Sequence, residues 1–292
     1  MINAKELLKR VREVEIRTRG IVRNSFTGQY HSVFRGRGVT FREVRDYVPG
    51  DDIRDVDWNV SARMNHPYVK TFEEDRELTV LLLVDVSSSL QFGTSKQWKS
   101  EIAAEIAAIL AFSAIRNNDK VGLLLFSDQV ERYLPPKKGR SHAFRVLTEL
   151  VEFEPKHART ELTSTLLYVD RILRQRSILF LLSDFQSEGY SDALRKVASR
   201  HDLVAVHLLD QWEEKLPKLG WLKVFDAETK QETWLNTNSI DVRNKWKSGF
   251  LKQRESVVET LKKARVDRIE VTTDQDVVPV LTNFFHRRGH HR

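Results

Sequence analysis

The chain has 292 residues, a formal charge of +7, an apolar fraction of 40% and no cysteine. That length allows one large domain or two modest ones, and the apolar content supports a packed core and excludes wholesale disorder. The missing cysteine excludes disulfides, thiolate metal ligands and thiol nucleophiles together, which fits a reducing compartment.

The amino terminus, "MINAKELLKRVREVEIRTRG", is charged throughout, unlike a signal peptide, and it reads as an amphipathic helix. The most apolar helical stretch, residues 101–115, is too short for a bilayer and carries Glu101 and Glu105, so a soluble cytoplasmic protein is expected. The charge is concentrated at the ends, with +4 over residues 1–24 and +5 over residues 241–292. Such ends would suit nucleic acid or an acidic protein, but a solvated helix face explains them more simply.

Residues 1–77 read as a first region, the helix followed by a small charged subdomain of short strands. Its core, "FREVRDYVPGDDIRDVDWNVSAR", alternates positive and negative residues, and "VPGDD" is a turn with Pro49 presetting φ and Gly50 freeing the next position. An acidic catalytic cluster is one reading. A structural charge network is the simpler one, with Arg45, Arg54 and Arg63 pairing with Asp46, Asp52, Asp55 or Asp57 and Trp58 packed between layers. On that reading Arg54 matters more for stability than Lys70.

From residue 78 to 292 strands and helices alternate. Apolar runs fall at 78–84, 120–127, 177–184, 202–209 and 267–273, and helix-period segments at 96–117, 141–152, 163–175, 190–200, 243–265 and 276–287. Strand, helix, strand, with unbroken Leu/Val runs buried on both faces, predicts an α/β fold with a doubly wound, mainly parallel sheet. "QVERYLPP" reads as a side hairpin, and 219–235 as another hairpin with "DAETK" as its turn.

The first strand, "LTVLLLVDVSSS", ends in Asp85, Ser87, Ser88 and Ser89. One helix cap needs one such residue, whereas here oxygens recur at every second position. Ligands of open α/β sheets bind beyond the carboxyl ends of strands, and a hard divalent cation wants oxygen ligands. Two hydroxyls two residues apart suit adjacent corners of an octahedron, and a carboxylate can hold a water ligand from behind. Further oxygens are available at Asp184, ending "SILFLLSD", and at Thr160 in "ARTELTSTLL", where Thr163 and Thr165 are alternatives. As a loop carboxylate, Asp85 is expected to contribute little to the core.

D-x-S-x-S at a first strand end, a later Thr and an Asp after a following strand resemble the metal-ion-dependent adhesion site of von Willebrand factor A domains. The stretches "GRGVTFREVRDYVPGDDIRDVDWNVSARMNHPYVKTFEEDRE", "LAFSAIRNNDKVGLLLFSD", "PPKKGRSHAFRVL", "RTELTSTL" and "LLSDF" resemble the bacterial family called "domain of unknown function 58". The resemblance covers nearly the whole chain. It implies a von Willebrand A-like fold, a Mg²⁺ (or Mn²⁺) site of Asp85, Ser87, Ser89, Thr160 and Asp184, and a MoxR-type AAA+ ATPase as partner. It implies no established reaction.

A metal held by two carboxylates and neutral hydroxyls retains affinity for one more anionic oxygen, which an Asp or Glu of a protein partner can supply. A non-enzymatic, metal-dependent interaction module is therefore expected. The rival is a metal-assisted hydrolase or a nucleic-acid factor using the basic ends. No histidine flanks the motif, and "GTSK" after Phe92 lacks P-loop spacing.

Overall fold

A computed structural model describes residues 40–73, 77–94, 97–225 and 232–290. The expected amino-terminal helix and the turn of the 219–235 hairpin lie outside these residues. The described chain falls into two compact units, with the boundary between Glu77 and Leu78. No helix among the described residues is long and apolar enough to cross a membrane.

In the smaller unit, β1 (Thr40–Asp46) pairs antiparallel with β2 (Tyr68–Glu73), and helix α1 (Trp58–Met64) lies between them in sequence. The carboxylates here serve the backbone more than the arginines. Asp57 is the N-cap of α1, its Oδ1 accepting the N–H groups of Asn59 at 3.0 Å and Val60 at 3.2 Å. Asp52 caps the short turn at Ile53–Asp55 by accepting the Arg54 N–H. Unpaired N–H groups at a helix start recruit the nearest acceptor, and a carboxylate one position before the helix is best placed.

The charge network therefore differs from the expected one. Arg45 makes a two-pronged pair with Asp51, at 2.7 and 2.6 Å, rather than with Asp46, Asp52, Asp55 or Asp57. This pair, with the Val48 N–H, holds the Asp51 carboxyl down at about 2. Asp57 meets Lys70 at 3.5 Å, and Asp46 meets His66 at 3.8 Å. Among the described residues Arg54 and Arg63 make no ion pair. Trp58, expected between layers, is 68% exposed, because α1 is too short and polar to bury it.

The larger unit is built on one six-stranded sheet. In chain order its elements are β3 (Thr79–Asp85), α2 (Lys99–Arg116), β4 (Lys120–Phe126), β5 (Val130–Lys137), α3 (Arg140–Glu152), α4 (Leu162–Ile172), β6 (Ile178–Ser183), α5 (Ser191–Arg200), β7 (Asp202–Leu209) and the single turn α6 (Gln211–Glu214). There follow β8 (Trp221–Phe225) and β9 (Glu232–Asn236), which pair antiparallel apart from the main sheet, then α7 (Ile240–Lys263), β10 (Asp267–Thr272) and α8 (Val277–His290).

The strand order is β10-β7-β6-β3-β4-β5, parallel throughout except for antiparallel β5. The first strand of the unit thus lies inside the sheet, with β4 on one side and β6 on the other. The winding reverses at β3, and the crevice where ligands bind in such sheets opens at its carboxyl end. "QVERYLPP" is not a side hairpin: it extends the main sheet as edge strand β5. Pro135 and Pro136 together oppose the single residue Gly122, since Val121 pairs with Lys137 and Leu123 with Leu134. This two-against-one bulge needs glycine, because a Cβ at residue 122 would lie 2.8 Å from the Leu134 carbonyl oxygen and the Pro136 nitrogen.

Helices cover both faces of the sheet. Leu81 and Leu83 of β3 cluster with Leu124, Phe126, Leu179 and Leu181 of the neighbouring strands and with Leu166 of α4, Leu194 of α5 and Leu261 of α7. Val80, Leu82 and Val84, pointing the other way by strand alternation, are just as buried. This explains why β3 reads as a continuous apolar run rather than an alternating one.

Two outcomes are expected from this packing. Leu83→Ala should cost about 2–5 kcal/mol in urea unfolding, the range for truncating a fully buried leucine. In the smaller unit Asp57→Ala should cost about 1 kcal/mol and raise amide exchange at Asn59 and Val60. Arg54→Ala should stay within about 0.5 kcal/mol of wild type, reversing the ranking of Arg54 over Lys70.

Candidate metal centre

Asp85 is the last residue of β3. Because Val84 pairs with Leu182, Asp85 arrives beside Ser183 at the end of β6, and Asp184 follows directly. Asp85 Oδ1 accepts the Ser87 N–H at 2.9 Å, which turns the chain out of the strand. Asp85 Oδ2 accepts the Ser183 hydroxyl at 2.6 Å. Three further hydroxyls form a chain on the same side: Ser89 Oγ lies 3.0 Å from Ser87 Oγ, which lies 2.8 Å from Thr160 Oγ1, itself 3.4 Å from Asp85 Oδ2.

Thr160 is brought in by the loop before α4, which is tied to the serine loop by the Ser88 N–H to the Ala158 carbonyl at 2.9 Å. Of the alternative threonines, Thr165 spends its hydroxyl on the Glu161 carbonyl at 3.2 Å, and Thr163 meets Glu161 through its backbone N–H. Glu161 is the N-cap of α4, so these contacts follow from helix capping.

Asp184 sits at the same rim but faces another partner. Its Oδ2 accepts from Lys99 Nζ at 3.1 Å, and its Oδ1 accepts the Gln186 N–H at 3.4 Å. The next residue, Phe185, is buried with a left-handed φ of 57°, a conformation that a bulky side chain holds only under constraint from its surroundings. Here the Ser183 hydroxyl accepts the Phe185 N–H at 3.0 Å. Ser183 thus donates to Asp85 and accepts from Phe185, locking the two strand ends together.

Asp85 is 1% exposed and Asp184 4%, so neither is the loop-surface carboxylate expected of Asp85. The strand ends one residue later than the apolar run, and the serine loop folds over it. Burial, then the neighbouring Asp184 charge, pushes the Asp85 carboxyl up to about 7 against the hydrogen bonds from Ser183 and Ser87. Burial also raises Glu213, in α6, against the opposing pull of Lys99. Lys99 would be lowered by burial, but the charges of Asp184 and Glu213 outweigh it and hold the ammonium above its ordinary value.

The donor set fits a hard divalent ion. Ser87, Ser89, Thr160 and Asp85 offer only oxygen, within hydrogen-bond reach of one another, beside a second carboxylate. Among the described residues no three His, Cys, Asp or Glu gather to hold a metal, so an ion here depends on the hydroxyls. That favours Mg²⁺ or Mn²⁺, which take neutral oxygen and water, over metals that need imidazole or thiolate. Such an ion would supply the positive charge that buried Asp85 lacks.

Sequence reasoning passed over three participants: Ser183, Lys99 and Glu213. Ser183 follows from strand pairing once β6 is placed beside β3. Lys99 had one clue, a lysine at the start of a helix that is otherwise apolar on nearly every side.

The larger unit is an α/β domain with a doubly wound, mainly parallel sheet whose hydroxyl and carboxylate side chains gather where the winding reverses. A family model described as "Protein of unknown function DUF58" matches residues 43–256, and the chain belongs to that family. It is 29% identical over 295 residues to the uncharacterized protein Rv1480 of Mycobacterium tuberculosis, covering 99% of this chain and 92% of that one. Among solved structures, an aerotolerance-related membrane protein from Bacteroides fragilis is similar at 15% identity and a TM-score of 0.49, over 74% of this chain and 100% of that one. Proximal thread matrix protein 1 from the mussel byssus, whose structure has a zinc-occupied MIDAS motif, is similar at 18% identity and a TM-score of 0.37, over 45% of this chain and 38% of that one.

The Asp85 environment makes stability depend on pH. Between about pH 4, where a carboxyl titrates in the unfolded chain, and about 7 in the folded one, the folded state keeps a proton that the unfolded state has released. Asp85 therefore costs stability progressively as pH rises through that window, at about 1.4 kcal/mol per unit of difference at most. His207, buried and lowered to about 4, titrates with the opposite sign in the same window. The isolating quantity is the stability of wild type minus that of Asp85→Asn, measured by urea melts in EDTA. It should fall between pH 4 and 7 and level off above, and a flat difference would mean that Asp85 ionises normally.

Proposed function

We propose that this chain is a metal-dependent protein-interaction module in which Asp85, Ser87, Ser89, Thr160 and Asp184 hold Mg²⁺ (or Mn²⁺). The observation that carries the reading is the chain of three hydroxyls running to Asp85 at the point where the sheet's winding reverses. The metal supplies a Lewis-acidic position that one more anionic oxygen can fill, and an Asp or Glu of a partner is the fitting donor. Ser87 and Ser89 present their oxygens from one turn, Thr160 from the next loop, and Ser183 keeps Asp85 oriented toward them. A MoxR-type AAA+ ATPase is the proposed partner, on the family resemblance.

The interaction reading is preferred to metal-assisted hydrolysis because, among the described residues, no histidine bonds to the hydroxyls of Ser87, Ser89 or Ser183. In the fold's interior His207 is edge-on to Phe185 at 5.4 Å and lowered to about 4 by burial, a core role rather than a general base's.

The test is a binding assay with purified MoxR-type ATPase from the same genome. Capture should require Mg²⁺ or Mn²⁺, be lost in EDTA, return on adding the metal, and be weakened at least tenfold by Ser87→Ala or Asp85→Asn in folded protein. Capture that is indifferent to EDTA would overturn the metal-dependent reading.

A further inference from the structure

Lys99 is among the largest fully buried side chains of the described residues, and it opens helix α2. That position opposes a cation twice, since the helix N-terminus is electropositive and burial disfavours an ammonium. Two carboxylates retain it: Asp184, at 3.1 Å, and Glu213, which the same Nζ also meets. Glu213 is itself anchored, its other oxygen accepting the Asp210 N–H at 2.8 Å. Asp210 in turn accepts the Thr94 N–H at 2.9 Å and the Thr273 hydroxyl at 2.6 Å. The ammonium is therefore fixed among the ends of β6, β7 and β10, one carboxylate away from the hydroxyl cluster.

We propose that Lys99 sets the divalent-cation affinity of the Asp85 centre, acting as a built-in monovalent cation that competes with the metal for Asp184. The inference rests on the metal reading given above and goes beyond it by assigning the residue that tunes occupancy. Asp85, Asp184, Glu213 and Lys99, all ionised, carry a net charge of −2, which one divalent ion balances. Removing Lys99 leaves −3 and frees an oxygen of Asp184, so the site gains both charge and a ligand. With Lys99 in place the metal is held loosely, and its retention depends on the carboxylate that a partner adds. Lys99 thereby couples metal occupancy to partner binding.

The test is a Mn²⁺ titration of the full chain, read by the electron paramagnetic resonance of free Mn²⁺, with circular dichroism to verify folding. Lys99→Met should bind Mn²⁺ at least tenfold more tightly than wild type, or bind measurably where wild type does not. Lys99→Met/Glu213→Gln, which removes one of the two carboxylates left without a counter-ion, serves if the single variant does not fold, and should also bind more tightly than wild type. Adding Asp85→Asn should abolish the gain. Equal or weaker binding in a folded Lys99 variant, with wild type binding, would overturn the role of Lys99 and leave the metal site standing. No Mn²⁺ binding by any of these proteins would overturn the metal reading itself.

Discussion

The constraint on which the rest of the structure depends is the burial of two carboxylates, Asp85 and Asp184, at neighbouring strand ends. Like charges removed from water repel one another and lose their hydration, and the fold answers each differently. Asp85 is met by hydroxyls and a backbone N–H, which ease its charge without cancelling it. Asp184 is met by a full positive charge. The asymmetry leaves Asp85 as the group with an unfilled preference for a cation, and it places the hydroxyl chain on the side of that group.

The sheet makes this burial possible. Strands β3 and β6 are neighbours although α2, β4, β5, α3 and α4 intervene in the chain, and their register alone sets Asp85 beside Ser183. With both faces covered by helices, the strand ends cannot shift without disturbing Leu81, Leu83, Leu179 and Leu181. The rim inherits its precision from the core below it. The left-handed Phe185 is the local counterpart: a strained backbone held by a buried ring and the Ser183 hydroxyl, fixing where Asp184 points.

Much of this was legible in the sequence where the determinant is local. Apolar runs located β3, β4, β6, β7 and β10 to within a residue or two; in the edge strand β10 only Ile269 and Val271 are buried, whereas in β3, β4, β6 and β7 burial on both faces leaves few polar positions to confuse the pattern. The alternating oxygens of Asp85, Ser87 and Ser89 stood out for the same reason. Contacts between distant segments left no such trace. Lys99 meets Asp184 across 85 positions and Glu213 across 114, and nothing near any of the three announces the pairing. In the charged stretch of the smaller unit, proximity in sequence misled: Asp52 and Asp57 have arginines nearby, yet helix starts claimed their oxygens first. "QVERYLPP" misled because two consecutive prolines argue against a strand, and only a bulge opposite Gly122 at the sheet's edge accommodates them.

That edge has a bearing on how the molecule keeps to itself. An open strand at the rim of a sheet is an invitation to another chain, which can add its own backbone as a further rung. Strand β5 interrupts its row of amide donors with Pro135 and Pro136 and bends at the bulge they form, so an incoming strand would find neither a continuous ladder nor a straight one. The sheet is thus closed to growth on the side away from β10 by its edge strand itself. At this edge an approaching chain meets side chains rather than a backbone ladder, and the rim above β3 and β6 is where the most exacting side chains are gathered.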